Sequence, residues 1–116
     1  MKLLRNLIAL FALLGSVVSA QDAPKKISKA EALGAVASRV QPAYPSIARQ
    51  LKVQGTVELN VTVKENGSVA KVDIVSGNPM LTVAAADALK LWKFRPFTED
   101  GKAIEVVAPI SVEFKL

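Results

Sequence analysis

The 116-residue chain contains no cysteine and no histidine. Their absence excludes disulfide scaffolds, thiol nucleophiles, haem ligation, histidine-containing zinc sites and imidazole acid–base catalysis together. Aromatic residues are scarce, with one Trp, one Tyr and four Phe. The lysines are scattered apart from Lys25, Lys26 and Lys29. No interleaving of basic and aromatic side chains results, and nucleic acid is not an expected partner. The carboxylates offer no catalytic pair either. Glu99 and Asp100 adjoin on a predicted turn, and Glu58 and Glu113 are expected to face each other on a wet sheet surface, where like charges cost stability and no cleft forms. Ser46 with Arg49, or Ser76 with Lys71, lacks the spacing of an activated nucleophile. The expectation is a protein that is not an enzyme, with no catalytic residues, metal, cofactor or small-molecule substrate.

What the chain does have is a hydrophobic content of 51% and a mean hydropathy of +0.33, much of it in the first twenty residues. Lys2 and Arg5 precede the apolar run Leu7–Leu14, and the segment closes on Ala20 with the small aliphatic Val18 two residues before it. This is the pattern of a secretory signal, with cleavage expected before Gln21. The other reading is an uncleaved anchor, for which the apolar stretch is short of the roughly 20 residues that a helix needs to cross a bilayer. Removing residues 1–20 lowers the formal charge from +5 to +3.

Beyond it, Gln21–Ile27 reads as a polar, unstructured start. Ser28 and Glu31 have the spacing of a capping box, and Leu33, Val36, Ala37 and Val40 follow at helical spacing. Gln41-Pro42-Ala43-Tyr44-Pro45 forms a stiff extended bend, and Ser46–Leu51 a short helical turn with Ile47, Ala48 and Leu51 on one side.

Val57, Leu59, Val61 and Val63 alternate with polar residues, as do Ala70, Val72 and Ile74, with Asn66-Gly67 between the two runs. That is an antiparallel hairpin. Asn78-Pro79 opens a helix whose apolar face is Leu81, Ala84, Ala85, Ala88, Leu89 and Trp92. Every even position from Ile104 to Leu116 is apolar, which makes a third strand. Trp92 and Phe94 read as core, and Tyr44 as a wedge that fixes the bend.

The order strand–strand–helix–strand predicts an α+β fold: a β-β-α-β core with a three-stranded antiparallel sheet of order 2-1-3, helix on one face, and short helical segments before it. A right-handed crossover puts the third strand outside the first. Pro109 fits that position, since proline is tolerated on an edge. An uncovered edge is a template for another extended chain.

Residues 41–116 resemble the C-terminal domain of the TonB energy-transducer family. The resemblance is carried by Gln41-Pro42-Ala43-Tyr44-Pro45, Val53-Gln54-Gly55-Thr56-Val57, Asn66-Gly67-Ser68-Val69, Trp92-Lys93-Phe94-Arg95-Pro96 and Ile110-Ser111-Val112-Glu113-Phe114, in that order. It implies a periplasmic recognition domain that takes a peptide of a TonB-dependent outer-membrane receptor as an added strand. Carried over by position, the partner-binding residues are Gln41 and Pro42, with Ile110, Ser111, Val112, Glu113 and Phe114 as the receiving strand. Gln41 reads equally well as a cap for the preceding segment. The division is then 1–20 signal, 21–40 extension and 41–116 recognition domain.

The chain departs from full transducers in one respect. Roughly twenty residues separate Gln21 from Gln41, about 70 Å if fully extended, with one proline and no long Pro-rich spacer. A cleaved form is therefore expected to be a soluble periplasmic binding module. An uncleaved form would be a short energy transducer anchored in the inner membrane, and a homodimer paired edge to edge is the other alternative.

Overall fold

Alternation of apolar and polar residues produces two nine-residue strands whose buried sides meet in one core. In the computed structural model, which describes residues 23–116, the elements are β1 (Lys25–Lys26), α1 (Lys29–Gly34), β2 (Val36–Ser38), α2 (Ser46–Gln50), β3 (Gly55–Val63) and β4 (Val69–Ser76), followed by α3 (Pro79–Lys90), β5 (Lys93–Phe94), β6 (Phe97–Glu99), β7 (Lys102–Ile104) and β8 (Val106–Phe114). The expected export segment 1–20 and the expected cleavage before Gln21 lie outside the described residues.

The main sheet has the order β1-β8-β3-β4. β3 and β8 are antiparallel and in unbroken register from Gly55↔Phe114 to Val63↔Val106. Val57, Leu59, Val61 and Val63 are buried on one strand, and Val106, Ala108, Ile110, Val112 and Phe114 on the other. The other face carries the half-buried Glu58, Asn60, Thr62, Pro109 and Ser111.

The β3–β4 turn needs its glycine twice over. Gly67 has φ 87°, and a Cβ there would stand 1.9 Å from the Phe94 carbonyl oxygen. The Phe94 N–H in turn donates to the Gly67 carbonyl at 2.9 Å, which ties β5 to the turn. Asn66 Oδ1 accepts from the Ser68 N–H at 3.0 Å. Downstream, Asn78 Oδ1 accepts from the Met80 N–H at 2.9 Å and Pro79 takes the first turn, so α3 starts where local chemistry permits. Leu81, Ala85, Ala88 and Leu89 are its buried stripe, and the small alanines allow a close approach to β3 and β4.

Several expectations are corrected. The sheet has four strands, not three: Lys25–Lys26, expected to be unstructured, pairs in parallel with Val106 and Val107. The helix after Ser28 stops at Gly34, and Val36 pairs with Phe94 instead of extending it. The Ser28 hydroxyl does accept from the Glu31 N–H at 3.1 Å, but the buried residue of α1 is Ala32, while Leu33 is exposed. In α2 only Ala48 is buried; Ile47 and Leu51 point to solvent.

The last strand begins at Val106, because Ile104 belongs to a separate hairpin, β6–β7, whose tip residues Asp100 and Gly101 both have positive φ. Along β4, register shifts opposite Glu58/Leu59 and Thr62/Val63 leave Val75 and Ala70 unpaired. The shift at Ala70 breaks the period-two pattern there and leaves Ala70 exposed, whereas Val72 and Ile74 stay opposite the buried Val61 and Leu59, half-buried and 47% exposed at the rim of the sheet. Finally, Glu58 stands opposite Ser111 and Glu113 opposite Thr56, so the two glutamates do not face each other.

Candidate functional site

The outer side of β8 is where the backbone has hydrogen-bonding capacity to spare. The Lys25 N–H donates to the Glu105 carbonyl at 3.2 Å, and the Ile27 N–H to the Val107 carbonyl at 3.1 Å. The odd-numbered residues therefore point away from β3. In an antiparallel ladder successive residues alternate sides, and β8 has no bulge against β3. Pro109, Ser111 and Glu113 consequently face outward as well. Pro109 directs its missing N–H outward, so it subtracts nothing from the β3–β8 ladder. Among the described residues, no strand pairs with this side of β8 beyond Val107. The carbonyl of Pro109 and both backbone groups of Ser111 and Glu113 thus have no strand partner among the described residues, while α1 packs against β8.

Of the residues expected in the site, Gln41, Pro42, Ser111, Val112 and Glu113 line one cavity of about 270 Å³. Ile110 and Phe114 do not line it; they are buried and hold the strand flat from beneath. Phe114 meets the Tyr44 ring edge-on at 5.5 Å, and the Tyr44 hydroxyl donates to the Val53 carbonyl. Tyr44 so fixes the bend that carries Gln41 and Pro42 to the edge.

Sequence reasoning missed three members of the wall: Arg39, Val40 and Trp92. The Trp92 indole N–H donates to the Val40 carbonyl at 2.9 Å, and the Arg39 guanidinium lies 5.0 Å from the centre of the Trp92 ring. Trp92 is core, only 4% exposed, and also a wall of the cavity. The available signal was the position of Arg39 two residues before Gln41, which carries no periodicity. On the far side of Gln41 and Pro42 lies a second, largely apolar groove of about 550 Å³, between residues 40–45 and the exposed Met80 and Val83 of α3 with Leu91 just after it.

On the polar face, the Ser111 hydroxyl donates to Glu58 Oε2 at 2.6 Å. Lys29 Nζ donates to Ser111 Oγ at 2.6 Å and to Glu58 Oε2 at 3.3 Å. The Ser111 hydrogen bond holds the Glu58 carboxyl below its ordinary value of 4.5, with partial desolvation opposing and Lys29 reinforcing. The Ser111 side chain is therefore engaged within the protein, while its backbone has no strand partner on the outer side among the described residues.

Residues 40–116 match the family described as Gram-negative bacterial TonB protein C-terminal. The chain is 36% identical over 83 residues to Protein TonB of Vibrio cholerae, covering 70% of this chain and 34% of that protein. It is 35% identical over 77 residues to Protein tonB2 of Pseudomonas aeruginosa, covering 65% and 28%. The chain thus spans about a third of the length of the curated relatives it matches. Among solved structures, the tonb2 protein from Vibrio anguillarum is similar with a TM-score of 0.52 at 42% identity, over 67% of this chain and 76% of that one. The solution structure of the Pseudomonas aeruginosa TonB C-terminal domain has a TM-score of 0.59 at 23% identity, over 70% and 84%, a likeness of fold.

Proposed function

The chain belongs to the family of Gram-negative bacterial TonB C-terminal domains, and from that premise we propose that it is a periplasmic recognition module of TonB-dependent transport. It takes an extended peptide of an outer-membrane receptor as an added strand on the outer side of β8. Residues 41–116 are the recognition domain in this reading and residues 21–40 an extension of it. The observation that carries the reading is the unpaired backbone of Ser111 and Glu113 beside the cavity walled by Gln41 and Pro42.

The physics divides the work. Backbone hydrogen bonds at Ser111, Glu113 and Pro109 supply affinity without regard to sequence, and the side chains that alternate along the peptide supply selectivity through the cavity wall. Ile110, Val112 and Phe114, anchored in the core, keep the receiving strand straight. Gln41 and Pro42 flank the bound peptide. The task needs no covalent chemistry.

The test is titration of ¹⁵N-labelled protein with synthetic peptides from the periplasmic segments of TonB-dependent receptors. The Ser111 and Glu113 amides are expected to shift and gain protection from exchange. Binding with those amides unmoved would overturn strand addition at β8.

A further inference from the structure

We propose that β1 is an intrachain stop on the receiving edge, confining an added strand to the stretch Pro109–Lys115. The inference rests on the strand-addition reading and concerns how much of the edge a partner reaches.

β1 already does to β8 what a partner would do. Its N–H groups at Lys25 and Ile27 use the outward carbonyls of Glu105 and Val107, the same set of outward groups that lies open at Ser111 and Glu113. The segment is held there by more than two backbone bonds. Lys25 Nζ pairs with Glu99 Oε1 at 3.1 Å on the β6–β7 hairpin, and Ile27 packs against the core. One helical turn later Ala32 is fully buried. Lys29 then fastens the start of α1 to Ser111 on β8 itself at 2.6 Å.

Pro109 completes the boundary. Moving outward from β1, the next residue on this side of β8 has no N–H to offer, so the first free donor is that of Ser111. The stretch of β8 left without a strand partner among the described residues is about 20 Å long, at 3.3 Å per residue. The stop lies in residues 25–29, ahead of the family-matched residues 40–116, so it belongs to the extension and not to the matched domain.

Lys25→Pro/Ile27→Pro removes both β1 donors. The experiment measures, by fluorescence anisotropy, the binding of five- and nine-residue labelled peptides cut from one periplasmic receptor segment, to the full protein and to this variant. Trp92 fluorescence reports that each is folded. In the unmodified protein the two peptides are expected to bind within about threefold of each other. In the variant the nine-residue peptide is expected to gain at least tenfold, as newly exposed ladder positions form hydrogen bonds, and the five-residue peptide to stay unchanged. The same length dependence in both proteins would overturn the stop and leave strand addition standing. Failure of either peptide to bind either folded protein would overturn both. If the double variant does not fold, Lys25→Pro alone keeps the packing of Ile27; a smaller gain confined to the longer peptide supports the stop, and no gain refutes it.

Discussion

The two strands that flank β3 in the main sheet, β4 and β8, are built differently. β4 is bent by two register shifts, carries an exposed Lys71–Asp73 ion pair at 3.5 Å, and leaves Ile74 and Val75 47% and 60% exposed. β8 keeps nine residues in unbroken register and buries every inward side chain. Bulges and charges are the usual means of blunting an edge against unwanted pairing. The edge left straight, with only Pro109 and a two-residue cap, is the one beside the Gln41–Pro42 wall. An added strand needs consecutive outward groups at constant spacing, and β4, with its two register shifts, does not present them.

The largest test of this contrast is stability. Ile110→Ala on β8 should cost about 2–5 kcal/mol, because it empties a fully buried position. Ile74→Ala on β4 should cost less than about 1 kcal/mol. Urea unfolding of both variants checks this, and equal losses would mean that the edges do not differ in how firmly the core holds them. Next comes binding. Glu113→Pro repeats the arrangement of Pro109 and removes one outward donor; receptor-peptide affinity should fall about tenfold or more, roughly 1.4 kcal/mol, with the urea midpoint nearly unchanged. Ile74→Lys on the other edge should leave affinity within about twofold. If it weakened binding as much as the proline does, the partner would be using the wrong edge for this account.

A smaller effect is expected at the wall. Gln41→Ala should weaken peptide binding by about 1 kcal/mol without altering any edge-to-edge dimer, read by titration and by sedimentation. Loss of dimer in the same variant would show that Gln41 serves the strand and not the bound flank. The smallest effect is in acid. Because the folded Glu58 carboxyl titrates below 4.5, its contribution is fully present above that pH and is lost as pH falls through the folded value. Glu58 and Lys29 are both more than a third exposed, so solvent screening limits the contribution to about 0.5 kcal/mol. Urea midpoints of Glu58→Gln and the unmodified protein should differ at pH 7 and converge as the pH falls through the folded Glu58 value.

Much of this arrangement is legible in the residues themselves. Val57–Val63, Asn66-Gly67, Asn78-Pro79 and Val106–Phe114 carry their structures in short-range patterns that the fold retains. Lys25 and Lys26 carry none: two polar residues become a strand only because the outward carbonyls of β8 are there to receive them. β4 misleads at one position for a related reason: the shift at Ala70 puts Val69 in its place opposite Val63, on the core side. Within the site, Gln41, Pro42 and Ser111–Glu113 are identified by the resemblance, whereas Val40 and Trp92 join the wall through a hydrogen bond spanning 52 positions, with the Arg39 guanidinium over the Trp92 ring.

By itself the sequence determined that this protein has two long half-buried strands, a hairpin, a capped helix with a small-residue face, and no cysteine or histidine chemistry. These follow from side-chain volume, backbone propensity and periodicity, which act over a few neighbours. Only the tertiary structure decided which edge is straight, how far along it a fourth strand reaches, and which distant side chains wall the cavity. Those depend on backbone groups left over after the sheet has formed, and a backbone group is the same at every residue until its neighbours in space are known.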